Sequence, residues 1–392
     1  MDIGVHDNAR LAELQALPLQ SKVGIAAARI TEFVQHFGED GCYVSFSGGK
    51  DSTVLVDIVS KLYPSIPIVF SDTGLEYPEV REFARSKATE VVRPKMNFVD
   101  VIREYGYPII TKEVSEAIYY ARRNRTSQSV NVERERERER VRPQSASVQS
   151  CKEQGTTHVT QKNIRRLMLM GSFASADGKA KSKFNKQKWL PLAQLPFRIS
   201  NRCCSVLKKS PLQIYQRATK RFPIIATMAC ESSVRRQAWL RTGCNAFDGN
   251  HISCKPMSVW LEQDVLEYIN TFGLQIASVY GEIIPKTDGQ CELCTTGCSR
   301  TGCIWCLFGT HLEKDDNKRL VRLKQTHPKQ YDYCMRGGAW VDNPDYIEGL
   351  PEYDGTWKNW NPKKIWMPDG GLGYAKMIDM INETYGKELI AY

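Results

Sequence analysis

The segment Tyr43-Val-Ser-Phe-Ser-Gly-Gly-Lys-Asp-Ser52 gathers residue types suited to holding a polyphosphate. Gly48 and Gly49 let the backbone approach an anion, and the first N–H groups of a following helix point at it. Lys50 adds a mobile positive charge, and Ser47 and Ser52 add hydroxyl donors. The spacing is too short for the GxxxxGKS/T loop of the common nucleoside triphosphatases. A second set of chemically capable residues is the cysteines. Cys203-Cys204 stand in tandem, followed by Cys291-Glu-Leu-Cys-Thr-Thr-Gly-Cys298 and then Gly302-Cys-Ile-Trp-Cys306. Two CxxC units close together are spaced for a soft metal, because each turn can place both thiolates on one ion or cluster. Neighbouring side chains diverge, so a tandem pair suits an iron–sulfur cube better than tetrahedral zinc. Cys42, Cys230, Cys244 and Cys254 read as buried structural thiols.

Positioning these groups requires strands that end at the loops. Tyr43–Phe46 is a β-branched and aromatic run that reads as a buried strand, and Thr53–Tyr63 is apolar at helical spacing. Ile66–Ser71 reads as a second strand, ending at Asp72-Thr-Gly74. A helix over Pro78–Thr89, a short strand at Val91-Val92 and a helix over Phe98–Tyr105 follow. Phe222–Thr227 is a third strand, with helices near Ser233–Arg241 and Leu261–Phe272, while residues 21–37 form a helix covering the sheet. This alternation predicts an α/β fold with a doubly wound, mostly parallel sheet. Ligands in such sheets lie beyond the carboxyl ends of the strands, where the Ser47–Ser52 loop and Asp72 both fall. The expected organisation is a helical cover over 1–40, a nucleotide-binding domain over 41–284, and a smaller cysteine-rich C-terminal region over 285–392. The last 50 residues read as irregular packing without chemistry.

Composition narrows the class. At 392 residues the chain can bury one large core or two modest ones. No stretch is apolar enough to span a bilayer and the start is not a signal peptide, so the expected location is the cytoplasm, with no membrane partner. Thirteen cysteines there argue for thiols and metal ligands rather than disulfides. The net charge of +10 is concentrated: residues 121–190 hold 17 Lys and Arg against 6 Asp and Glu, an excess of +11. Regular patterning fails after Arg122, and Glu133–Arg140 alternates charge with no apolar face. Residues 122–188 therefore read as a basic, disordered insertion, open to a nucleic-acid acceptor.

From about Gly41 to Gly309 the chain resembles the phosphoadenosine phosphosulfate reductase family of the PP-loop ATP pyrophosphatases. The matching residues are Ser47-Gly-Gly-Lys-Asp-Ser52, Asp72-Thr-Gly74, Cys203-Cys204 with Lys208, Glu231, Ser233 and Arg236. Lys255-Pro256, Trp260, Asp264-Val265 and Gly302-Cys303 with Cys306 continue the match. The tandem pair and later GCxxC are similar to the iron–sulfur members. The resemblance implies an adenine nucleotide alpha hydrolase-like fold and a 4Fe-4S cluster on Cys203, Cys204, Cys303 and Cys306. Cys291, Cys294 and Cys298 are then left for a zinc site with Cys334 or His311, or for a working thiol.

Departures from the family's reductases matter as well. The last cysteine is Cys334, so a tail thiol is not expected; the Gly-x-Arg segment corresponds to Thr227-Met-Ala229, and position 207 is Leu. Those reductases carry degenerate loops, whereas this loop is intact. Together these features predict an enzyme that binds ATP and adenylates an acceptor with release of pyrophosphate, coupled to iron–sulfur-dependent sulfur transfer. Ser47, Gly48, Gly49, Lys50 and Ser52 would cradle phosphate alongside Asp72, Thr73 and Gly74. Lys50 and Asp51 would be catalytic, Asp51 or Asp72 would hold Mg²⁺, and Arg235 or Arg236 would reach a phosphate. A sulfur or electron donor protein is an expected partner. Two alternatives are a phosphoadenylyl- or adenylylsulfate reductase and a nucleic-acid-binding accessory protein with a zinc site.

Overall fold

The computed structural model describes residues 6–123, 161–172, 184–286, 292–313, 318–350 and 360–392. They form two compact units, Met1–Asn97 with Val206–Ile304, and Phe98–Ser205 with Trp305–Tyr392. These boundaries differ from the expected divisions at 40/41 and 284/285. The second unit is assembled from two distant segments, and Ile109–Ile110 pairs in parallel with Leu307–Phe308. Pairing at that separation leaves no local mark in the sequence.

The first unit is built on a six-stranded sheet. Its elements are helices α1 (Asn8–Gln15) and α2 (Leu19–Phe37), strand β1 (Cys42–Phe46), α3 (Lys50–Leu62), β2 (Ile68–Ser71), α4 (Pro78–Lys87) and β3 (Glu90–Val92). They continue with α5 (Ser210–Thr219), β4 (Phe222–Ile225), α6 (Ser233–Thr242), β5 (Asn245–Ala246), β6 (Ser253–Cys254) and α7 (Glu262–Phe272). The strand order is β3-β2-β1-β4-β6-β5. All pairs are parallel except β5 with β6, and Val44 lies between Ile68 and Ile224. The expected doubly wound, mostly parallel sheet is therefore present.

Order reverses between β1 and β4, so a crevice opens at their carboxyl ends. Helix α2 buries Ala26, Ile30, Phe33 and Val34, and α3 buries Val54, Leu55, Ile58 and Val59. Trp260, fully buried, belongs to this core. Lys22 of α2 is buried too, and its Nζ donates to both carboxylate oxygens of Asp264 at 2.7 and 2.8 Å. Asp264 also accepts from the Leu261 N–H at 2.6 Å, capping α7. Two of the residues that carried the family resemblance thus have structural work.

The second unit corrects two expectations. Residues Gln161–Met170, inside the expected disordered insertion, form a helix. Arg165 on it pairs with Glu113 at 3.2 Å and Glu116 at 2.8 Å, and Lys186 pairs with Glu113 at 3.1 Å. Carboxylates of the helix Lys112–Arg123 therefore neutralise part of the basic segment. Glu133–Arg140 lies outside the described residues. The C-terminal stretch is regular: Ala339–Asp342 pairs antiparallel with Lys364–Met367, and Tyr374–Tyr385 is a helix. Arg122 donates to the carbonyls of Leu192, Ala193, Leu195 and Phe197 and lies over the Trp360 ring at 4.3 Å. Desolvation lowers its pKa to about 9. Among the described residues no helix is long and apolar enough to cross a membrane.

Candidate nucleotide-binding site

The turn leaving β1 is fixed by its glycines. Gly48 has φ +73°, and a Cβ there would lie 2.7 Å from the Val80 carbonyl oxygen and 2.9 Å from the Ala84 Cβ. Only glycine lets the loop lie this close to α4. The Ser52 hydroxyl donates to the Gly49 carbonyl at 2.9 Å and accepts from the Ser47 N–H at 3.3 Å. The Ser47 and Ser52 hydroxyls are 3.0 Å apart, and Gly49 N–H donates to Ser47 Oγ at 3.4 Å. The Ser47 and Gly49 N–H groups are thus satisfied within the loop.

Lys50 is not the mobile charge expected from sequence. As the first residue of α3 it is 2% exposed, and its Nζ meets Asp51 at 3.0 Å and Glu262 at 3.2 Å. Burial disfavours its charge, but the two carboxylates outweigh this and hold its pKa above the ordinary lysine value. Asp72 also departs from its expected role. It is 3% exposed and gripped by Arg81 at 2.7 Å, by Arg85 and by Arg93 at 3.7 Å. Burial pushes its carboxyl up, while Arg81 and Arg85 prevail and hold it below the usual range. Its oxygens tie β2 to α4 as a structural anchor. Arg236 donates to Asn8 at 3.0 Å and does not line the cavity.

A cavity of about 390 Å³ opens at the crevice, within the range usual for small-ligand sites. From the expected set, Ser47, Lys50, Asp51, Ser52, Thr73 and Arg235 line it. Lys208, Arg300, Glu76 and Glu231 complete its charged lining, so four cations face three carboxylates. Glu231 holds both Arg235 and Arg300. Burial, and then Arg300 beside it, lower the Arg235 pKa, so two crowded guanidiniums would gain from a further anion. Two lining atoms have no hydrogen-bond partner, Ser71 Oγ and Glu76 Oε2. Arg300, Thr301 and Tyr280 escaped sequence reasoning. The Arg300-Thr301 pair sits inside a cysteine-rich run that drew attention to metal binding.

The cysteines divide differently from expectation. Cys42, Cys244 and Cys254 are buried in the first unit's core, as expected, but Cys230 is exposed. Cys291 lies outside the described residues, and Cys294 and Cys298 belong to the first unit. The backbone over Cys204–Lys209 opens into a π-helical turn, a distortion that concentrates at functional sites. In the second unit, burial, followed by neighbouring Cys334, Cys306 and Cys203, pushes the Tyr374 phenol far above its ordinary pKa. Yet among the described residues no three His, Cys, Asp or Glu side chains form a group able to hold a metal ion.

A mostly parallel α/β sheet with a glycine turn and a cationic cavity at its switch point is an arrangement suited to an anionic ligand. Residues 41–140 match the phosphoadenosine phosphosulfate reductase domain. Two relatives match over shorter stretches. An adenosine 5'-phosphosulfate reductase of Chelativorans sp. is 35% identical over 94 residues, covering 21% of this chain and 38% of the relative. An uncharacterized protein of Methanocaldococcus jannaschii is 35% identical over 69 residues, covering 16% of this chain and 17% of the relative. The chain thus spans under two-fifths of the length of these relatives. A solved phosphoadenylyl-sulfate reductase from Candida auris, in a phosphate complex, aligns with TM-score 0.32 and 12% identity, over 71% of this chain and 92% of that one.

Proposed function

We propose that the first unit binds ATP and cleaves it between the α and β phosphates, adenylating an acceptor. The observation carrying this reading is the intact Ser47–Ser52 loop opening onto a cavity where Lys50, Lys208, Arg235 and Arg300 converge. An acceptor oxygen attacks the α-phosphorus, the bond to the bridging oxygen breaks, and pyrophosphate leaves with that electron pair. The cations offset the charge developing on the leaving group, which is where phosphoryl-group chemistry gains most. Incoming phosphate competes with Asp51 and Glu262 for Lys50, and with Glu231 for the arginines. Mg²⁺ needs only one or two carboxylates in addition to substrate phosphates. Asp51 and the unpartnered Glu76 Oε2 fit that requirement, and the ion would draw charge from the leaving pyrophosphate.

A 4Fe-4S cluster, with zinc as the alternative, and a sulfur or electron donor protein remain part of the proposal on cysteine spacing alone. The second reading, reduction of adenylyl sulfate or its 3'-phosphorylated form, is favoured by the match to the Chelativorans sp. reductase. It needs a thiol that attacks the sulfate sulfur and expels AMP, or adenosine 3',5'-bisphosphate from the 3'-phosphorylated form, and a second thiol that then attacks that cysteine sulfur, forming a disulfide and releasing sulfite. Cys334 is unsuited to that attack, being fully buried with its thiol held far above the ordinary pKa by desolvation.

Incubation with ATP and Mg²⁺ is expected to give AMP and pyrophosphate. Lys50→Ala should abolish both products while retaining a cooperative melting transition. Release of ADP and orthophosphate would sink the proposal, and sulfite from adenylyl sulfate without ATP cleavage would establish the second reading.

A further inference from the structure

The N–H of Lys50 stands at the start of α3, where a phosphate would be received, yet it is already engaged. It donates to the Tyr280 hydroxyl at 3.3 Å, and that oxygen is 2.6 Å from Thr301 Oγ1. Both hydroxyls lie against the loop: a Cβ on Gly49 would fall 3.3 Å from Tyr280 Oη and 3.8 Å from Thr301 Oγ1. Both residues line the cavity. A count of hydrogens shows what remains. Each hydroxyl carries one hydrogen, and the bond between the two consumes one of them. One hydroxyl hydrogen is therefore left over at the cavity wall.

Burial decides which hydroxyl presents it. Tyr280 is 2% exposed, its oxygen takes the Lys50 hydrogen, and burial holds the phenol in its protonated form. Thr301 is only half-buried. We infer that Tyr280 and Thr301 form a hydroxyl relay that carries the donor character of the α3 N-terminus to the phosphate chain. The order is Lys50 N–H to Tyr280 Oη–H to Thr301 Oγ1–H, with the last hydrogen given to a ligand phosphate oxygen. Tyr280 acts through Thr301 and is a positioning residue, whereas Thr301 touches the ligand. The relay replaces a direct backbone contact, because the Lys50 N–H is taken by the Tyr280 hydroxyl. Hydrogen bonds in such chains polarise and strengthen one another. The two residues come from the turn after α7 and from the edge of the cysteine-rich run, so loop and run share one ligand.

This inference rests on the proposed nucleotide site but not on the reaction performed there. The test is calorimetric binding of ATP and of inorganic pyrophosphate to the full chain, alongside the product assay. Thr301→Val should weaken binding of both by roughly tenfold to a hundredfold, the loss expected for one hydrogen bond to a charged group. Thr301→Ser, which keeps the hydroxyl, should bind as the parent does. Tyr280→Phe should cause a smaller loss, since Thr301 keeps its hydrogen but not its polarising partner. If the parent cleaves ATP, Thr301→Val should raise KM by that factor with kcat changed less.

Equal affinity of Thr301→Val and the parent, with both melting alike, overturns the relay. Should the valine variant not fold, an affinity for Thr301→Ala equal to that for Thr301→Ser overturns it equally. A parent that binds nucleotide through Thr301 yet releases no pyrophosphate refutes the proposed reaction and leaves the relay standing.

Discussion

Residue identities in this chain are informative chiefly through what burial does to them. Lys50 and Asp72 both occur in runs that read as phosphate chemistry, and both are almost fully buried. Lys50 faces the cavity with carboxylates that a phosphate can displace. Asp72 faces away, into arginines that have no reason to release it. A carboxyl held below its ordinary pKa contributes stability above its unfolded value near 3.9, and that contribution disappears as pH falls through the folded value. Asp72→Asn is therefore expected to cost about 1–3 kcal/mol at pH 7. Urea titrations should show the gap to the parent shrinking below about pH 4. A gap that is the same at pH 7 and pH 3 would contradict the anchoring role. Because Asp72 does not line the cavity, the Mg²⁺ concentration needed for half-maximal ATP cleavage should be unchanged in the variant.

At the level of elements, strands and the helices between them were readable from apolar spacing. Phe98–Tyr105 coincides with its predicted bounds, and β1, β2 and β4 fall within a residue or two of theirs. The cysteine run behaves differently. Its hairpin, Ile283–Pro285 with Leu293–Thr295, is paired through the backbone, and the residues after it supply Arg300 and Thr301 to the cavity. The tandem pair opens a π-helical turn whose purpose is metal-testable. Protein purified without oxygen is expected to be brown with about four irons per chain, and Cys306→Ser should bleach it while Cys42→Ser does not. Colourless protein containing stoichiometric zinc would favour the alternative metal. Protein with neither metal that still cleaves ATP would remove metal from the proposal.

For the whole molecule, charge is the property with the widest reach. The +11 excess of residues 121–190 suggested an attraction for nucleic acid. Its described members are largely committed: Arg122 to carbonyls, and Arg165 and Lys186 to Glu113 and Glu116. Any attraction must therefore come from the cations elsewhere in the segment. Neutralising Lys179, Lys181 and Lys183 should lower affinity for single-stranded DNA or RNA at low salt, and parent affinity should fall steeply as salt rises. Arg165→Gln should leave affinity unchanged and reduce stability instead. Excising Glu133–Arg140 should leave ATP cleavage intact. Unaltered nucleic-acid binding after the triple lysine change would remove the acceptor role from this segment.

The sequence by itself determined the sheet class and the glycine turn of Ser47–Ser52, because these depend on near neighbours. Apolar period, a φ only glycine tolerates, and a helix start within three residues are all local. Tertiary structure decided what lies opposite the loop. Lys50 meets Glu262 across 212 positions, and Tyr280 reaches its N–H from 230 positions away. Parallel strands oblige the chain to return over long connections, so the residues that complete a switch-point cavity are brought together by topology. No spacing rule could have paired Thr301 with Tyr280, or sent Asp72 to Arg81 and Arg85.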